Sequence, residues 1–363
     1  MVVADVNARI AGALGDLAAV QTIKPKTTAF NRAASAVMML TEQLDQIKGP
    51  LPKIEGIGPS SLRVIEEVLK AGQSPTVERA VAASGKRADV ERRRGLRRNV
   101  FSRAEALRVL ADDSIGGIGL ADHRADFQMH SEWSDGVLPL PELARACAAR
   151  GYTHSAVTDH APGLPIAGGM SPDTVVKQHL AIDRLNAESS GFVLLKGIEG
   201  NIDADGGLDV SDEHIGSFDI VLAAPHSKLR QTDDQTRRLL SAVEIVGVHI
   251  LAHPSGRKSG ARAGIVADWD KIFRRAASLN VAVEIDGDPS RQDLDFEMAA
   301  RALDAGCIFA LDSDAHSADQ LAYSETAIAH ARLAGIPASR VINSWPLAAL
   351  KDWARERQRP RRA

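Results

Sequence analysis

From Asp126 onward the chain repeats one unit: a short β-rich run, a polar residue at its end, then a helical stretch. The β-rich runs are 155–158, 193–197, 220–223, 250–252, 281–285 and 308–311, and helical segments such as 140–150, 174–188 and 295–305 lie between them. Strand–helix alternation at this spacing predicts an α/β barrel around a parallel sheet.

A barrel of this kind gathers its reacting groups where the C-terminal ends of the strands meet the following loops. Those places are held here by Gln128-Met129-His130 with Ser134-Asp135-Gly136, by Asp159-His160, by Glu199, by Pro225-His226, by His253-Pro254, and by Asp312, Asp314 and His316. Five of the eleven histidines therefore fall just past a strand; His123, His154, His179, His214, His249 and His330 do not, and are read as surface or packing residues. One histidine after a strand is more often structural than a ligand. Five of them beside Asp135, Glu199 and Asp314 would be a costly set of unpaired polar groups at one barrel mouth, and metal ions remove that cost.

The candidate ligands are His130, Asp135, His160, Glu199, His226, His253, Asp314 and His316, with Gln128 as a ninth. That is more than one ion can use, so two to three divalent ions are expected, with Glu199 or Asp314 able to bridge. Imidazole mixed with carboxylate suits zinc, manganese or iron. Such ions lower the pKa of a bound water and clamp the oxygens of an in-line displacement. His160, Glu199, Asp314 and His316 are the candidate catalytic groups. Cations on two neighbouring loops, Lys228 and Arg230 after His226 and Arg257 after His253, are read as phosphate holders. No G-x-S-x-G nucleophile elbow occurs.

The part of the chain before the barrel reads as helical. Val6, Ile10, Leu14 and Leu17 keep helical spacing, a second run covers 30–47, a short helical turn covers 52–55, and Gly56-Ile57-Gly58 connects to a helix that starts near Pro59 and stops at Gly72. Residues 85–108 are rich in arginine, and 112–122 carry Gly116, Gly117 and Gly119. The net charge of −3 is the sum of unlike parts: residues 1–124 hold 19 Lys and Arg against 14 Asp and Glu, and residues 125–363 hold 25 against 33. A basic first part fits a polyanion partner, and an acidic second part fits a site that holds cations. The domains are expected at 1–84 (helical), 85–124 (basic linker), 125–350 (barrel) and 351–363 (a frayed basic tail).

The two cysteines, Cys147 and Cys307, sit in small apolar contexts, which argues against a disulfide framework and a thiolate metal site. No apolar run approaches about 18 residues and no signal-peptide order opens the chain. A soluble, cytoplasmic protein without a membrane partner is expected, and its oligomeric state is left open.

The segments QMHSEWSDG, AVTDH, GIEGNI, APHSKL, LAHPSGR, VEIDGDPSRQDLD and LDSDAHS resemble the PHP (polymerase and histidinol phosphatase) superfamily across about residues 125–350. HPSGR followed by DPSRQDLD is most similar to the PHP domain of bacterial family X DNA polymerases. The resemblance implies a distorted (β/α)7 barrel of TIM type with a trinuclear site on the eight ligands above; many members carry histidine where this chain has Gln128. The first 80 residues resemble the small helix-hairpin-helix domain of the same polymerases. This implies that the backbone around Gly56, Gly58 and Ser60 meets a DNA phosphate. About 50 residues separate the two parts, which leaves no room for a polymerase palm and fingers, and Val64 stands where related lyase domains use lysine; Lys70 is a poor substitute. Neither polymerase nor lyase activity is expected. The leading expectation is a DNA 3′–5′ exonuclease. A small-molecule phosphomonoesterase and a DNA-binding scaffold with an inactive barrel are the alternatives.

Overall fold

The computed structural model describes residues 5–49 and 51–359. The chain forms two compact units, residues 1–112 with 258–263, and residues 113–257 with 264–363.

The first unit is built of helices: α1 (Val6–Val20), α2 (Lys24–Met38), α3 (Pro59–Ala71), α4 (Pro75–Ser84), α5 (Arg87–Gly95) and α6 (Arg103–Ala111). Asp5 caps α1 by accepting from the Ala8 amide, and Ser74 and Ser102 cap α4 and α6 in the same way. Ile10, Leu14 and Leu17 form the buried face of α1 and share a core with Phe30, Val37, Val64, Ile65 and Val81.

Three expectations for this region are corrected. First, α2 ends at Met38, and 41–49 runs as turns. Leu44 is held there by its amide on Asn7 Oδ1 at 2.9 Å, a side-chain bond that replaces a helical one. Second, 51–58 contains no helix. The Ile57 amide closes a turn on the Ile54 carbonyl at 3.2 Å through Gly56 at φ 83°, so α3 follows the glycine turn but no helix precedes it. Third, the arginine-rich stretch is folded structure and not a linker. The carboxylate of Asp16, a residue 2% exposed on α1, takes Arg94 Nε at 2.7 Å and Arg97 Nη2 at 2.6 Å. Asp5 binds both the amide and the hydroxyl of Ser102 at 2.6 and 2.8 Å. Val90, Ala106 and Val109 are buried. Charge was a poor guide because the arginines are taken by carboxylates, some within the same helix, as Arg92 and Arg93 on Asp89, and some distant in sequence, as Arg94 and Arg97 on Asp16.

The second unit contains the strands β1 (His154–Val157), β2 (Val193–Asn201), β3 (Ile220–Ala224), β4 (Ile250–Leu251), β5 (Ala282–Asp286) and β6 (Ile308–Asp312). They form one parallel sheet in chain order, each pairing with the next, with helices between them: α8 (Pro172–Glu188), α9 (Asp212–Ile215), α10 (Thr236–Glu244), α11 (Trp269–Leu279) and α12 (Phe296–Asp304). Helix α7 (Leu140–Ala149) precedes β1, and α13 (Ser324–Leu333) and α14 (Leu347–Arg357) follow β6. β1, β3, β4, β5 and β6 are buried along their whole length, as a parallel sheet covered on both faces requires.

The strand expected to end at Gln128-Met129-His130 is not formed as a regular strand. Its amides are taken by side chains: Phe127 donates to Asp312 Oδ1 (2.7 Å), Gln128 to Asp126 Oδ1 (3.2 Å) and Met129 to Thr158 Oγ1 (3.1 Å). Segment 124–130 still lies between β1 and β6. Ala156 and Thr158 donate to the Asp126 and Met129 carbonyls, and Met129 bridges Ala315 in parallel. Residues 113–124 belong to this unit, with Ile118 bonded to Ile336 and Arg124 to Asn343. The end of the chain is also corrected. Residues 351–357 are not frayed but helical, because Arg357 is buried and donates to the carbonyls of Val248, Leu279 and Ile245. Positions 360–363 lie outside the described residues.

Candidate metal centre

Side chains from the ends of β1, β3 and β4 and from Gln128 and His130 converge on one carboxylate. Glu199, inside β2 and fully buried, receives His160 Nδ1 at 2.9 Å, His253 Nε2 at 2.8 Å, His226 Nε2 at 3.3 Å, His130 Nε2 at 3.6 Å and Gln128 Nε2 at 3.1 Å. Asp135 forms a second focus, 3.5 Å from His160 Nε2, 3.3 Å from His316 Nε2 and 3.9 Å from His130 Nδ1. Asp314 Oδ1 lies 3.1 Å from His130 Nε2. The structure thus brings together all eight side chains named from the strand ends, and Gln128 with them.

Local sequence explains the placement. Gly136 lets the 131–136 loop fold back on itself, with its amide on the Ser131 carbonyl at 3.0 Å; a Cβ there would overlap the His130 main chain. That fold returns Asp135 toward His130 and His160. Asp159 fixes the loop by accepting from the Ser131 amide and hydroxyl, Ser134 and Gln178 at 2.5–2.8 Å. Two of the converging residues sit at positive φ, His253 at 26° and Asp314 at 52°, a conformation that non-glycine residues keep only where the surroundings enforce it. Arg238, 5% exposed on α10, ties the loops after β2 and β3 together. Its guanidinium donates to the carbonyls of Asp203 (2.6 Å), Ile202 (2.5 Å) and Ser227 (3.0 Å), to Ser227 Oγ (2.8 Å) and to Gln235 Oε1 (2.8 Å).

The donor set fits divalent cations. His130 Nδ1, His160 Nδ1, His253 Nδ1 and Glu199 Oε2 are buried without a hydrogen-bond partner. Buried polar atoms are rarely left so. His160 Nδ1 and Glu199 Oε2 are 2.9 Å apart yet not aligned as a hydrogen bond, as expected of two lone pairs that face a common cation. Among the described residues, two groups have ligand atoms within 4.8 Å of one another: His130, Asp135, His160 and His316, and His160, Glu199 and His226.

The carboxylates draw positive charge to the site, which protons on the imidazoles or divalent ions in their place can supply. Burial disfavours charge on His160, but Glu199 and Asp135 outweigh it and hold the imidazole up at about 10. Against the same opposition from burial, Asp135 and Asp314 hold His316 at about 9. Burial would raise Glu199, yet His226 and His160 keep it well below the carboxylate range. His253 falls to about 4, through burial and the Arg291 charge.

Beneath the mouth lies a set of fully buried acids that sequence reasoning did not single out as functional. Burial and then Asp312 raise Asp126 and Glu284 well above the ordinary range, burial and then Asp314 raise Asp286, and burial lifts Asp312 to about 6. Glu284 accepts from the His253 amide. Burial and neighbouring charge thus favour a proton on Asp126, Glu284 and Asp286, whereas Asp312, at about 6, is largely ionised at neutral pH.

Two of the three cations proposed to hold phosphate bond to groups of their own surroundings, and the third is exposed. Arg257 Nη1 donates to Asp295 at 2.8 Å, Lys228 Nζ reaches the Ala204 carbonyl at 3.4 Å, and Arg230 is exposed. The cation that does touch the cluster is Arg291, which sequence reasoning missed although it lies within the VEIDGDPSRQDLD segment. Its Nη2 is 3.3 Å from Asp314 Oδ2 and its Nε 3.6 Å from Asp286 Oδ2. In the helical unit, Gly58 caps α3 without a side-chain bond, and Gly58 and Ser60 are exposed.

No family profile matches the chain. It is 37% identical over 241 residues to the DNA polymerase/3′-5′ exonuclease PolX of Bacillus subtilis, which covers 66% of this chain and 42% of that protein. The chain thus spans well under half of that relative. It is 31% identical over 222 residues to a probable phosphatase of Tolumonas auensis, across 58% of this chain and 85% of that one. It is 26% identical to the probable phosphatase YcdX of Escherichia coli, across 61% and 90%. A solved histidinol phosphate phosphatase from Lactococcus lactis, complexed with zinc, L-histidinol and phosphate, covers 65% of the chain at TM-score 0.39 and 16% identity, too loose a likeness to bear on fold or site.

Proposed function

The chain belongs to the PHP (polymerase and histidinol phosphatase) superfamily and is a hydrolase of phosphate esters, and from that premise we propose that it is a metal-dependent phosphodiesterase acting on DNA from the 3′ end. The observation that carries the metal dependence is the convergence of His160, His226, His253 and Gln128 on the buried Glu199, with imidazole nitrogens left unpartnered around it.

On this reading two overlapping groups, His130–Asp135–His160–His316 and His160–Glu199–His226, would hold the ions, the shared His160 ligating one of them, with His253 and Asp314 completing the set on a distorted (β/α)7 barrel. Bound divalent ions would supply a hydroxide near neutral pH and neutralise charge on the phosphate. The rest falls to the chain itself. Arg291 reaches the cluster with a side chain 24% exposed, and is placed to hold a non-bridging phosphate oxygen beside Asp314. The His316 side chain, 31% exposed, is the most open of the five imidazoles, and its Nδ1 donates to the Asp314 carbonyl at 2.8 Å, which turns the Nε2 lone pair toward Asp135. Asp126 and Glu284, buried beneath the ligands, favour a proton and so add no further negative charge there.

DNA as substrate is supported by the relative named as a polymerase and exonuclease, and by the basic first unit with the α3 amides open at Gly58. The alternative, a small-molecule phosphomonoesterase, is favoured by the relatives named as probable phosphatases, whose lengths the chain covers far more completely. A 5′-labelled single-stranded oligonucleotide should shorten from its 3′ end with Mn²⁺ or Zn²⁺, and stay intact with chelator and with His253→Ala. An intact oligonucleotide beside rapid metal-dependent phosphate release from a monoester panel replaces the exonuclease reading with the phosphatase one. Neither activity under any metal removes both.

A further inference from the structure

Between Glu199 and the next loop runs a chain of short hydrogen bonds that no ligand assignment uses. Asn201, the last residue of β2, is 9% exposed. Its Nδ2 donates to Asp209 Oδ2 at 2.5 Å and its amide to Asp209 Oδ1 at 2.6 Å. The same Asp209 Oδ2 accepts from the Gly163 amide at 2.7 Å, in the loop that follows His160. At the other end of the amide, Asn201 Oδ1 lies 2.5 Å from His226 Nδ1. His226 Nε2 then faces Glu199 Oε1 at 3.3 Å.

The order of donors and acceptors along this chain is not free. An ionised carboxylate only accepts, so the end of the Asn201 amide that meets Asp209 must be its NH₂ group. The oxygen is therefore turned toward His226, and Nδ1 must carry the imidazole proton. That leaves the Nε2 lone pair on the side of Glu199 and His160, where a cation would need it. An asparagine at 201 transmits the polarity of Asp209 without placing a second charge next to the ring. Gly163 belongs to the device: a Cβ there would overlap the Asp209 carboxylate, so the close approach needs glycine.

We propose that Asp209 and Asn201 are positioning residues that lock His226 in its Nδ1–H tautomer and so set the affinity of the His160–Glu199–His226 site for its ion. This rests on the metal-centre reading above. It also couples the loop after β1 to the loop after β3, because one carboxylate serves both.

Two measurements test it. In metal-free protein with ¹⁵N-labelled histidine, long-range proton–nitrogen correlation should show His226 protonated at Nδ1, and Asn201→Ala should abolish that preference. An Nε2–H tautomer in the unaltered chain overturns the proposal. Separately, zinc uptake against a chromogenic chelator should show one ion bound roughly 10- to 100-fold more weakly in Asn201→Ala, the others unchanged. Gly163→Ala, which retains every polar group, should weaken the same ion. Equal zinc affinity in all variants refutes the coupling while leaving the metal centre standing. If the unaltered chain binds no divalent ion, the metal-centre reading fails, and the tautomer measurement alone decides whether Asp209 and Asn201 position the ring.

Discussion

Replacing Arg238 by methionine should be among the most damaging single changes in the α/β unit, although Arg238 is no candidate ligand. Its guanidinium meets the carbonyls of Ile202, Asp203 and Ser227 on the two loops that follow Glu199 and His226. Methionine keeps much of the apolar stem but withdraws every donor. Each buried carbonyl left without a partner costs about 1–3 kcal/mol. Three of them, partly relieved by water and by losing the need to bury a cation, give a loss of about 4 kcal/mol. All four tryptophans, Trp133, Trp269, Trp345 and Trp353, lie in this unit, so intrinsic fluorescence during urea unfolding follows it without interference from the helical unit. The midpoint should fall with an unchanged slope, and zinc affinity should fall with it because the Glu199 and His226 loops loosen together. A stability loss below about 1 kcal/mol would refute the reasoning, since it would mean that the carbonyls are satisfied without the guanidinium.

Other outcomes follow from the same geometry. Chelation should lower the melting temperature of the α/β unit by several degrees per ion, because an ion held at 100 times its Kd stabilises by about 2.7 kcal/mol; an unchanged melting curve with and without chelator counts against the metal centre. His249 is fully buried between the Val221 amide and the Ala354 carbonyl, and burial lowers it to about 4. The unfolded chain then binds the extra proton below about 6.5, so stability should be complete above that pH and fall as pH drops toward 4, by up to about 3 kcal/mol from this residue. Urea titrations of the metal-free protein between pH 7 and 4 check this against His249→Gln, which should flatten the slope. In the helical unit, Asp16→Ala removes the buried carboxylate shared by Arg94 and Arg97, whose side chains are 32% and 22% exposed and of which Arg94 keeps Glu78 and Glu91, and should cost about 1–3 kcal/mol, read from helical circular dichroism; a neutral result would mean that solvent replaces Asp16 at both guanidiniums.

Strands such as β3, β4 and β6 were legible because each is an apolar run that gives way within a few residues to a histidine or carboxylate. The runs read at 220–223 and 308–311 fall within a residue of the observed β3 and β6. Segment 124–130 was misread as a strand because the side chains that claim its amides, Asp312 and Thr158, arrive from elsewhere in the chain. The arginine run looked like a linker because its partner Asp16 lies 78 residues before Arg94. Arg291 was missed because it follows β5 by several residues and not directly, so a rule based on strand ends passes over it. Asn201 and Asp209 carry no signal at all in their identities; their roles appear only in which atom faces which.

The two candidate ion groups differ in how much chain they close. His160, Glu199 and His226 span three neighbouring strands, whereas His130, Asp135, His160 and His316 join the 124–130 segment to the residues just past β6. The first is a short-range knot and the second the clasp of the whole ring. An opening that parts β6 from 124–130 removes His316 from its companions and leaves the Glu199 group whole. In a growing chain the same order holds: at roughly 5–20 residues per second, the Glu199 group can assemble seconds before the residue that completes the clasp has been made.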